Sequence, residues 1–267
     1  MRKKKEKRNA VIITGYMRDY EKTLSEFKKN ILTSDKCDVF IATWQYRGVK
    51  KMRSRDVKLT DGSTRRIAFK ERKDETLIDV DHIKECYNPK AMTIMDLDFF
   101  DLAIHQLTMI VETSDLIDIN AKVKPKSHAT LMKNYTVFFT LNQGWKTMEK
   151  YASENNIEYE KVVRIRTDFE KGGYYPKIDW DQKINKSVIK IGSWNHQQYQ
   201  TLDKRIKSSF QDHFAIGNYN DMKYYYNVFE NLYKLSREFR YSPKQWHAEY
   251  CQSLWLTMNN IGWEKII

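Results

Sequence analysis

Short apolar runs alternate with segments of helical composition along this chain. Residues 10–14 and 38–44 are apolar runs of strand length, and residues 19–30 between them are compatible with a helix. Two buried strands joined by a helix are typical of a βαβ unit, in which both strands lie parallel in one sheet. The pattern therefore predicts an α/β fold that begins with parallel strands.

The same alternation continues beyond these elements. Further strands are predicted at 91–95, 162–168, 187–192 and 213–217, and helices at 75–87, at 129–155 and from Ser242 onward. Gly144 is a candidate interruption of the long helix. Because neither an internal repeat nor a domain boundary is evident, residues 10–267 are predicted to form one domain, preceded by a basic, flexible arm at residues 1–9.

A basic insertion follows the second strand, at about residues 45–74. Residues 47–73 contain eleven Lys and Arg against three Asp and Glu. Two segments of strand composition, 57–60 and 65–69, flank an Asp61-Gly62 pair, which is a hairpin signal. The insertion is interpreted either as a hairpin flap near a site or as a solvated excursion.

The composition indicates a globular protein in a reducing compartment. The 267 residues include 41% hydrophobic side chains, which suffices for a sizeable core, and only 9 Gly and 4 Pro, which argues against low complexity. The three cysteines are widely spaced, so neither a disulfide framework nor a zinc site is suggested. No apolar stretch has the length of a signal peptide or a membrane span, and a cytoplasmic protein is predicted.

The formal net charge is +12, which favours phosphate-bearing or polyanionic partners or an acidic membrane surface. The arm at residues 1–9 is a candidate for peripheral contact with anionic lipid, and its alternative is a solvated tail. Charge by itself does not choose among these partners.

Charged residues converge at the end of the 162–168 strand. Side chains alternate along a strand, so Arg164, Arg166 and Asp168 are predicted on one face, opposite Val163 and Ile165. Ligands of open α/β sheets bind beyond the carboxyl ends of the strands, and arginine pairs suit phosphates. The sequence therefore predicts a nucleotide diphosphate site here, and the alternative is an ion pair on a solvated strand face.

The turn after the first strand carries matching residues. Gly15 and Arg18 lie between the strand and the following helix, where a glycine admits close approach of a phosphate and an arginine supplies charge. A turn glycine with a solvated arginine is the alternative.

Paired aspartates elsewhere compete as a metal or diphosphate site. The Asp96-Leu97-Asp98 segment directly follows an apolar strand, so its two carboxylates are a rival site for a hard cation. Two further pairs are interpreted structurally: Asp79 and Asp81 as a helix cap, and Asp179 and Asp181 as a surface turn.

Several short segments resemble the GT-A glycosyltransferases that build capsule, lipopolysaccharide or viral glycans in bacteria and large DNA viruses. The segments that carry the resemblance are Ile13-Thr14-Gly15-Tyr16-Met17-Arg18, residues 37–44, residues 163–168 and Asp212-His213-Phe214-Ala215-Ile216-Gly217, with weaker likeness at residues 87–90 and 247–249. They span most of the chain in the family's order. The resemblance implies a GT-A-like single domain with a Rossmann-like N-terminal half.

The resemblance also implies a function. Thr14, Gly15 and Arg18 would contact a nucleotide-sugar donor, with UDP as the expected nucleotide, and Arg166 to Asp168 would replace the family's usual Asp-x-Asp. Asp168 would then be the single carboxylate available to Mn²⁺ or Mg²⁺, so the metal is optional, and Arg164 or Arg166 would partly neutralise the leaving diphosphate. The acceptor would be a hydroxyl of a growing glycan, glycolipid or glycoprotein.

An inverting transfer needs a base for the acceptor hydroxyl, and two acids are candidates. Asp212 stands directly before an apolar strand, and Glu249 lies on a predicted helix beside Tyr250. The alternative for each is a surface acid.

Two other classes of protein remain open. A basic nucleic-acid-binding or nucleic-acid-modifying protein would explain the charge, although no recognised nucleic-acid motif is present, and a non-enzymatic scaffold is a third class. We expect the glycosyltransferase, without nucleic acid as a partner.

Overall fold

The structure is a computed structural model. It describes residues 5–18, 20–47, 52–58, 64–70, 76–96, 125–167, 175–192, 213–232, 234–235 and 248–266, with the backbone alone at 52–58, 64–70, 125–135 and Lys265.

The elements follow one another in the α/β order that the sequence predicts. In chain order they are β1 (Glu6–Thr14), α1 (Tyr20–Glu26) with a π-helical continuation (Phe27–Ile31), β2 (Cys37–Trp44), β3 (Met52–Lys58), β4 (Thr64–Lys70), α2 (Val80–Tyr87), β5 (Ala91–Met95), α3 (Pro125–Asn155), β6 (Ile157–Ile165), β7 (Val188–Ile191), β8 (Phe214–Asn218), α4 (Tyr219–Tyr226) with a 3-10 turn (Phe229–Asn231), α5 (Ala248–Met258) and β9 (Gly262–Lys265).

The described strands form one seven-stranded sheet and one separate hairpin. The order in the sheet is β5-β2-β1-β6-β8-β7-β9, and the hairpin consists of β3 and β4. Strands β5, β2, β1 and β6 are parallel, β8 is antiparallel to β6 and β7, and β9 is parallel to β7. The prediction of an α/β fold with a mostly parallel central sheet, flanked by helices, is confirmed.

Side chains from both faces of the sheet are buried. Ala10 and Ile12 of β1 lie in the cluster that includes α3, whereas Val11 and Ile13 lie in the cluster that includes α1 and α2. A strand covered on both faces reads as a continuous apolar run, which is why the pattern at 10–14 was detectable. Burial of each such aliphatic side chain stabilises the folded state by about 1.5–3 kcal/mol.

Strand β1 begins at Glu6, earlier than its apolar run. Lys7 forms an exposed ion pair with Glu160 at 2.6 Å, and Arg8 pairs with the buried carboxylate of Asp38 at 2.8 Å. Residues 6–9, which we predicted within the flexible arm, therefore lie in the sheet. Because these residues are charged, a search for apolar runs does not detect this part of the strand. Their ion pairs compensate for the cost of placing charged residues in the sheet.

Helix α3 passes through Gly144 without interruption, so the expected break is wrong. A Cβ at Gly144 would lie 2.8 Å from Ile12 Cγ2 and 2.9 Å from Thr14 Cγ2. The glycine therefore lets the helix approach the end of β1 closely, which explains its place in the helix interior.

Several smaller expectations are confirmed. Asp79 caps α2, since its carboxylate accepts a hydrogen bond from the His82 N–H, and Asp179 accepts one from the Asp181 N–H in an exposed turn. The hairpin is present, with Lys58 opposite Thr64 at its closed end. Within the described ranges, we find no helix that combines the length and apolar character needed to span a bilayer.

Candidate functional site

The carboxyl ends of the parallel strands meet at one edge of the sheet, which we term the carboxyl edge. Strand β1 ends there at Thr14 and β6 ends there at Ile165, its neighbour in the sheet. Because β8 is antiparallel, its amino end lies at this edge, and the Arg166 N–H donates to the His213 carbonyl at 3.1 Å. Segments distant in sequence therefore converge at one place.

Gly15 makes the turn that leaves β1. Its φ is 110°, a left-handed conformation that L-residues rarely adopt, and its N–H donates to the Ala42 carbonyl at 3.2 Å. A Cβ at Gly15 would lie 3.9 Å from Nε of Arg166. The Arg166 guanidinium thus stands beside the glycine turn, as the positions at two strand ends predicted.

Two hydroxyls fix the backbone at the end of β6. Thr167, which is buried, donates from Oγ1 to the Tyr16 carbonyl at 3.1 Å. The Tyr175 hydroxyl donates to the Arg166 carbonyl at 2.7 Å. The backbone that carries Arg166 is therefore held from both sides.

Arg18 is the second cation at the turn. Its guanidinium carbon lies 5.2 Å from the centroid of the Tyr16 ring, a cation–π distance, and that ring lies 6.5 Å from the Trp44 ring. The buried Nε of Arg18 has no hydrogen-bond partner among the residues that the structure describes. Arg18 is therefore the second guanidinium group held beside the turn.

Arg164 is placed differently from Arg166. It is 1% exposed, and its Nε donates to Thr14 Oγ1 at 3.2 Å. Burial raises the pKa of the Tyr226 hydroxyl well above its ordinary value, and the Arg164 charge partly opposes that rise. Arg164 therefore lies in the layer between the sheet and the helices.

Arg164 does not lie on an open surface with Arg166, because it is 1% exposed. Helix α3 covers the face on which Arg164 stands, and Arg166 is half-buried beyond the last residue of β6, where strand alternation no longer applies. Arg164 instead lies beneath the carboxyl edge, where its positive charge still acts at short range.

Glu249 lies toward the same edge. Helix α4 starts directly after β8, at the opposite edge, and so runs toward the carboxyl edge. Gln252 Nε2 donates to the Tyr225 carbonyl and Trp255 Nε1 to the Tyr224 carbonyl, so α5 runs antiparallel to α4. The first turn of α5, which contains the half-buried Glu249, is therefore directed to the carboxyl edge.

The other predicted acids are only partly placed. Asp168 and Asp212 lie outside the described residues, next in sequence to Thr167 and His213 at this edge. Asp96 follows β5, which is three strand positions from β6, about 14 Å at the usual strand spacing. Asp98 lies outside the described residues. Of the rival pair, the structure therefore places only Asp96, which is distant from Arg166.

The described side chains around the Gly15 turn are cationic or carry hydroxyl groups. They include three arginines, Arg18, Arg164 and Arg166, and the hydroxyls of Thr14 and Thr167. Among the described residues, no group of three or more His, Cys, Asp or Glu side chains is arranged to hold a metal ion. Asp168 stays the predicted metal ligand.

The basic insertion leaves the sheet beside this site. At its base, the Arg47 N–H donates to the Thr76 carbonyl at 2.8 Å, and the Ile78 N–H donates to the Gln45 carbonyl at 2.9 Å. The Arg47 guanidinium lies 5.2 Å from the Tyr20 ring centroid and pairs with Glu21 at 2.7 Å. The insertion is thus anchored between the carboxyl end of β2 and helix α1.

Sequence reasoning missed the roles of Thr167, Tyr16 and Tyr175 at the edge. The position of Thr167 directly after a charged strand end could have indicated its role. Tyr175 could not be predicted to contact Arg166, because the segment that contains it has no strong sequence pattern.

Comparison with known proteins does not assign the chain to a class. No protein-family model matches it, and no curated protein matches it. Any functional assignment therefore rests on the residues at the carboxyl edge.

Proposed function

We propose that the protein is a GT-A-type glycosyltransferase that transfers a hexosyl or pentosyl group from a nucleotide sugar to a hydroxyl of a growing glycan. The observation that carries the proposal is the cluster of Arg18, Arg164 and Arg166 around the Gly15 turn, at the ends of two central parallel strands. Ligands of open α/β sheets bind at this position.

A nucleoside diphosphate fits this cluster chemically. Guanidinium groups form paired hydrogen bonds with phosphate oxygens, and such charge-assisted bonds are about twice as strong as neutral ones. Arg166 and Arg18 flank the turn, and Arg164 adds positive charge from beneath it. The choice of uridine as the base rests on the resemblance alone.

In the proposed reaction, the acceptor hydroxyl oxygen bonds to the anomeric carbon of the donor sugar as the bond from that carbon to the diphosphate oxygen breaks. The nucleoside diphosphate leaves with the bonding electrons, and the arginines stabilise its charge. The hydroxyl proton passes to a carboxylate, for which Asp212 and Glu249 are the candidates.

The metal requirement is a separate part of the proposal. Asp168 would hold Mn²⁺ or Mg²⁺ next to the diphosphate, where the ion would supply further neutralisation. The described residues supply arginines for the same purpose, so donor binding is expected with or without the ion.

Thermal melting tests the assignment, because a ligand that binds the folded state raises the melting midpoint by mass action. We expect UDP and UDP-sugars to raise it, with each nucleotide measured with and without Mn²⁺. Lack of any shift with nucleoside diphosphates and nucleotide sugars, together with a shift from a random oligonucleotide, would replace the proposal by the nucleic-acid class.

A further inference from the structure

A groove of about 420 Å³ lies between helix α3 and the start of β5, and we term it the α3–β5 groove. Its volume falls within the range of about 300–1,000 Å³ that is usual for sites of small ligands. The described residues that line it on α3 recur every three or four positions and therefore share one face of the helix: Gln143, Lys146, Thr147, Lys150, Tyr151 and Glu154. The other wall consists of the first residues of β5 and the preceding Lys90.

Two threonine hydroxyls connect the walls of the α3–β5 groove. Thr93 Oγ1 on the strand and Thr147 Oγ1 on the helix lie 2.6 Å apart. The Thr147 hydroxyl donates its hydrogen to the Gln143 carbonyl at 2.8 Å, so Thr93 is the donor to Thr147. No described residue donates a hydrogen bond to the Thr93 oxygen, which can therefore accept one from a ligand.

Positive charge predominates in the groove. The described lining contains three lysines and a single carboxylate: Lys90, Lys146, Lys150 and Glu154. Lys146 pairs with Glu230 at 3.0 Å. Within the part of the chain that the structure describes, neither Lys90 nor Lys150 forms an ion pair. These two ammonium groups suit a ligand that carries negative charge.

The uncharged side chains of the groove suit sugar rings. The Gln143 amide is half-buried and forms no hydrogen bond with any side chain or backbone group that the structure describes. It offers both donors and an acceptor, which match the hydroxyls of a sugar. The Tyr151 ring has an edge contact with Phe40 at a centroid distance of 5.6 Å, so its position is fixed. A fixed aromatic ring can pack against the C–H face of a sugar.

We propose that the α3–β5 groove binds an acidic oligosaccharide, a sugar chain that carries carboxylate groups. Lys90 and Lys150 would pair with the carboxylates, while the Gln143 amide and the Thr93 hydroxyl bind sugar hydroxyls. The choice of a saccharide rests on the proposed function, whereas the choice of an anion rests on the lysines.

The groove lies close to the proposed donor site. In the register of the sheet, Thr93 is opposite Ala42, and Ala42 is opposite Thr14, the last residue of β1. At the usual strand spacing of about 4.8 Å, Thr93 lies about 10 Å from Thr14. A growing glycan whose end reaches the carboxyl edge can therefore extend into the groove, so the groove would select acidic glycans as acceptors.

A nucleic acid fits the groove less well than an acidic saccharide. Binding of single-stranded nucleic acid uses a positive groove that follows the backbone, with aromatic side chains on which successive bases stack. The described lining has one aromatic ring, that of Tyr151, and it includes the Glu154 carboxylate, which repels a phosphate backbone. A sugar chain with more widely spaced charges is compatible with both features.

Isothermal titration of the full chain with two saccharides of equal length tests the proposal. Tetragalacturonate is acidic and maltotetraose is neutral, and we expect tighter binding of the acidic chain. Replacing Lys90 and Lys150 together by Gln should weaken binding of tetragalacturonate about 10-fold, since each exposed ion pair contributes a factor of up to about five.

The matched control removes two exposed lysines on the opposite face of the sheet, with Lys177 and Lys183 replaced by Gln. The segment that carries them packs in the cluster that includes α1 and α2, away from α3. This variant should bind tetragalacturonate as the unmodified protein does. Equal losses in the two double variants, or equal affinity of the unmodified protein for the two saccharides, would overturn the proposal.

A second variant keeps the charge of the groove and removes the amide. Gln143→Ala should weaken tetragalacturonate binding about 2- to 10-fold, as expected for a lost hydrogen bond. Undiminished affinity in this variant contradicts the saccharide assignment. An oligonucleotide that binds more tightly than tetragalacturonate, and that loses its binding when Lys90 and Lys150 are replaced, contradicts it as well.

Melting with UDP separates this inference from the proposed function. The shift that UDP produces should be unchanged in all variants, because they retain the three arginines around the Gly15 turn. A UDP shift without saccharide binding would overturn the groove inference alone. Saccharide binding without a shift from any nucleotide would overturn the glycosyltransferase proposal alone.

Discussion

Arg164 on β6 donates its Nε hydrogen to the Thr14 hydroxyl on β1, and the two atoms lie 3.2 Å apart. The bond joins the ends of two neighbouring parallel strands in the buried layer beneath the Gly15 turn. A cation held in this way cannot withdraw when a ligand leaves. The positive potential at the turn is therefore a fixed property of the folded protein.

Arg166 is expected to carry the largest share of donor affinity. Replacing it by Ala should remove a charge-assisted hydrogen bond of about 1.5–3 kcal/mol, which is roughly a 10- to 100-fold loss in affinity for UDP. Isothermal titration measures the loss. Lys84→Ala, which removes an exposed charge from the last turn of α2, is the control and should bind normally. Similar losses in both variants would indicate general attraction to a basic protein.

The proton acceptor is tested by a pair of conservative variants. Asp212→Asn should leave donor affinity within a few-fold of the unmodified protein and lower turnover by about 10² or more, as expected for loss of a positioned base. Glu249→Gln is measured beside it. If turnover is retained in the first and lost in the second, the base lies on α5, and retention in both indicates transfer without a protein base.

Asp38 is expected to be a major determinant of stability. It is buried, and its carboxylate accepts two bonds from Arg8, at 2.8 and 2.9 Å, and one from the Tyr159 hydroxyl at 2.8 Å. Asp38→Ala should lower the free energy of unfolding by about 1–3 kcal/mol, because the buried Tyr159 hydroxyl loses its acceptor while Arg8 keeps only its bonds to Glu6 and the Asp35 carbonyl. Lys7→Ala removes an exposed pair on the same strand and should cost less than about 1 kcal/mol. Urea denaturation compares the two variants, and equal effects would refute the distinction.

Gly144→Ala tests the close approach of α3 to β1. The new methyl group would meet Ile12 and Thr14 below 3.0 Å, and both are branched side chains on a buried strand. Overpacking of about 1–3 kcal/mol should exceed the helix propensity gained, about 1 kcal/mol. At Gly262, where the nearest atom would be the Ser187 carbonyl oxygen at 3.7 Å, the same substitution should be nearly neutral. A stabilised Gly144→Ala protein would show that the helix can move away freely.

Alkaline pH should weaken the packing of α1 through Tyr20. Burial raises the pKa of its hydroxyl to about 12, from an ordinary value near 10. The protonated hydroxyl therefore contributes fully to the free energy of unfolding below pH 10, and this contribution is lost as the pH rises from about 10 to 12. Tyr20→Phe should flatten the fall in unfolding free energy over that interval, measured by urea denaturation. Tyr224→Phe, at a side chain that is 42% exposed, should leave the fall unchanged.

The central strands could be predicted because strands buried on both faces are apolar along their whole length. Residues 10–14, 38–44 and 91–95 are apolar runs, and β1, β2 and β5 contain them. Strand β9 was missed, because Gly262–Lys265 is short, contains a glycine and two charged residues, and is specified by its pairing with β7. Pairing with a distant strand leaves no pattern in the four residues themselves.

The candidate site was predictable where it depends on strand ends. Gly15 and Arg166 follow two strands that proved to be neighbours, so their proximity followed from the α/β pattern. The burial of Arg164 could not be predicted in this way. Strand alternation determines on which face of the sheet a residue lies, but it does not determine which element covers that face. Helix α3, which provides the cover, approaches through Gly144, and no property of residues 162–168 encodes that approach.

The pairing of β1 with β6 also determines when the site forms during folding. Thr14 and Arg164 are 150 positions apart, and contacts between such distant residues form slowly because a long loop must close first. An early intermediate containing β1, α1 and β2 would have the glycine turn but neither Arg164 nor Arg166. The arginines should therefore reach the turn late in folding, so a ligand that binds them would report that the sheet has been completed.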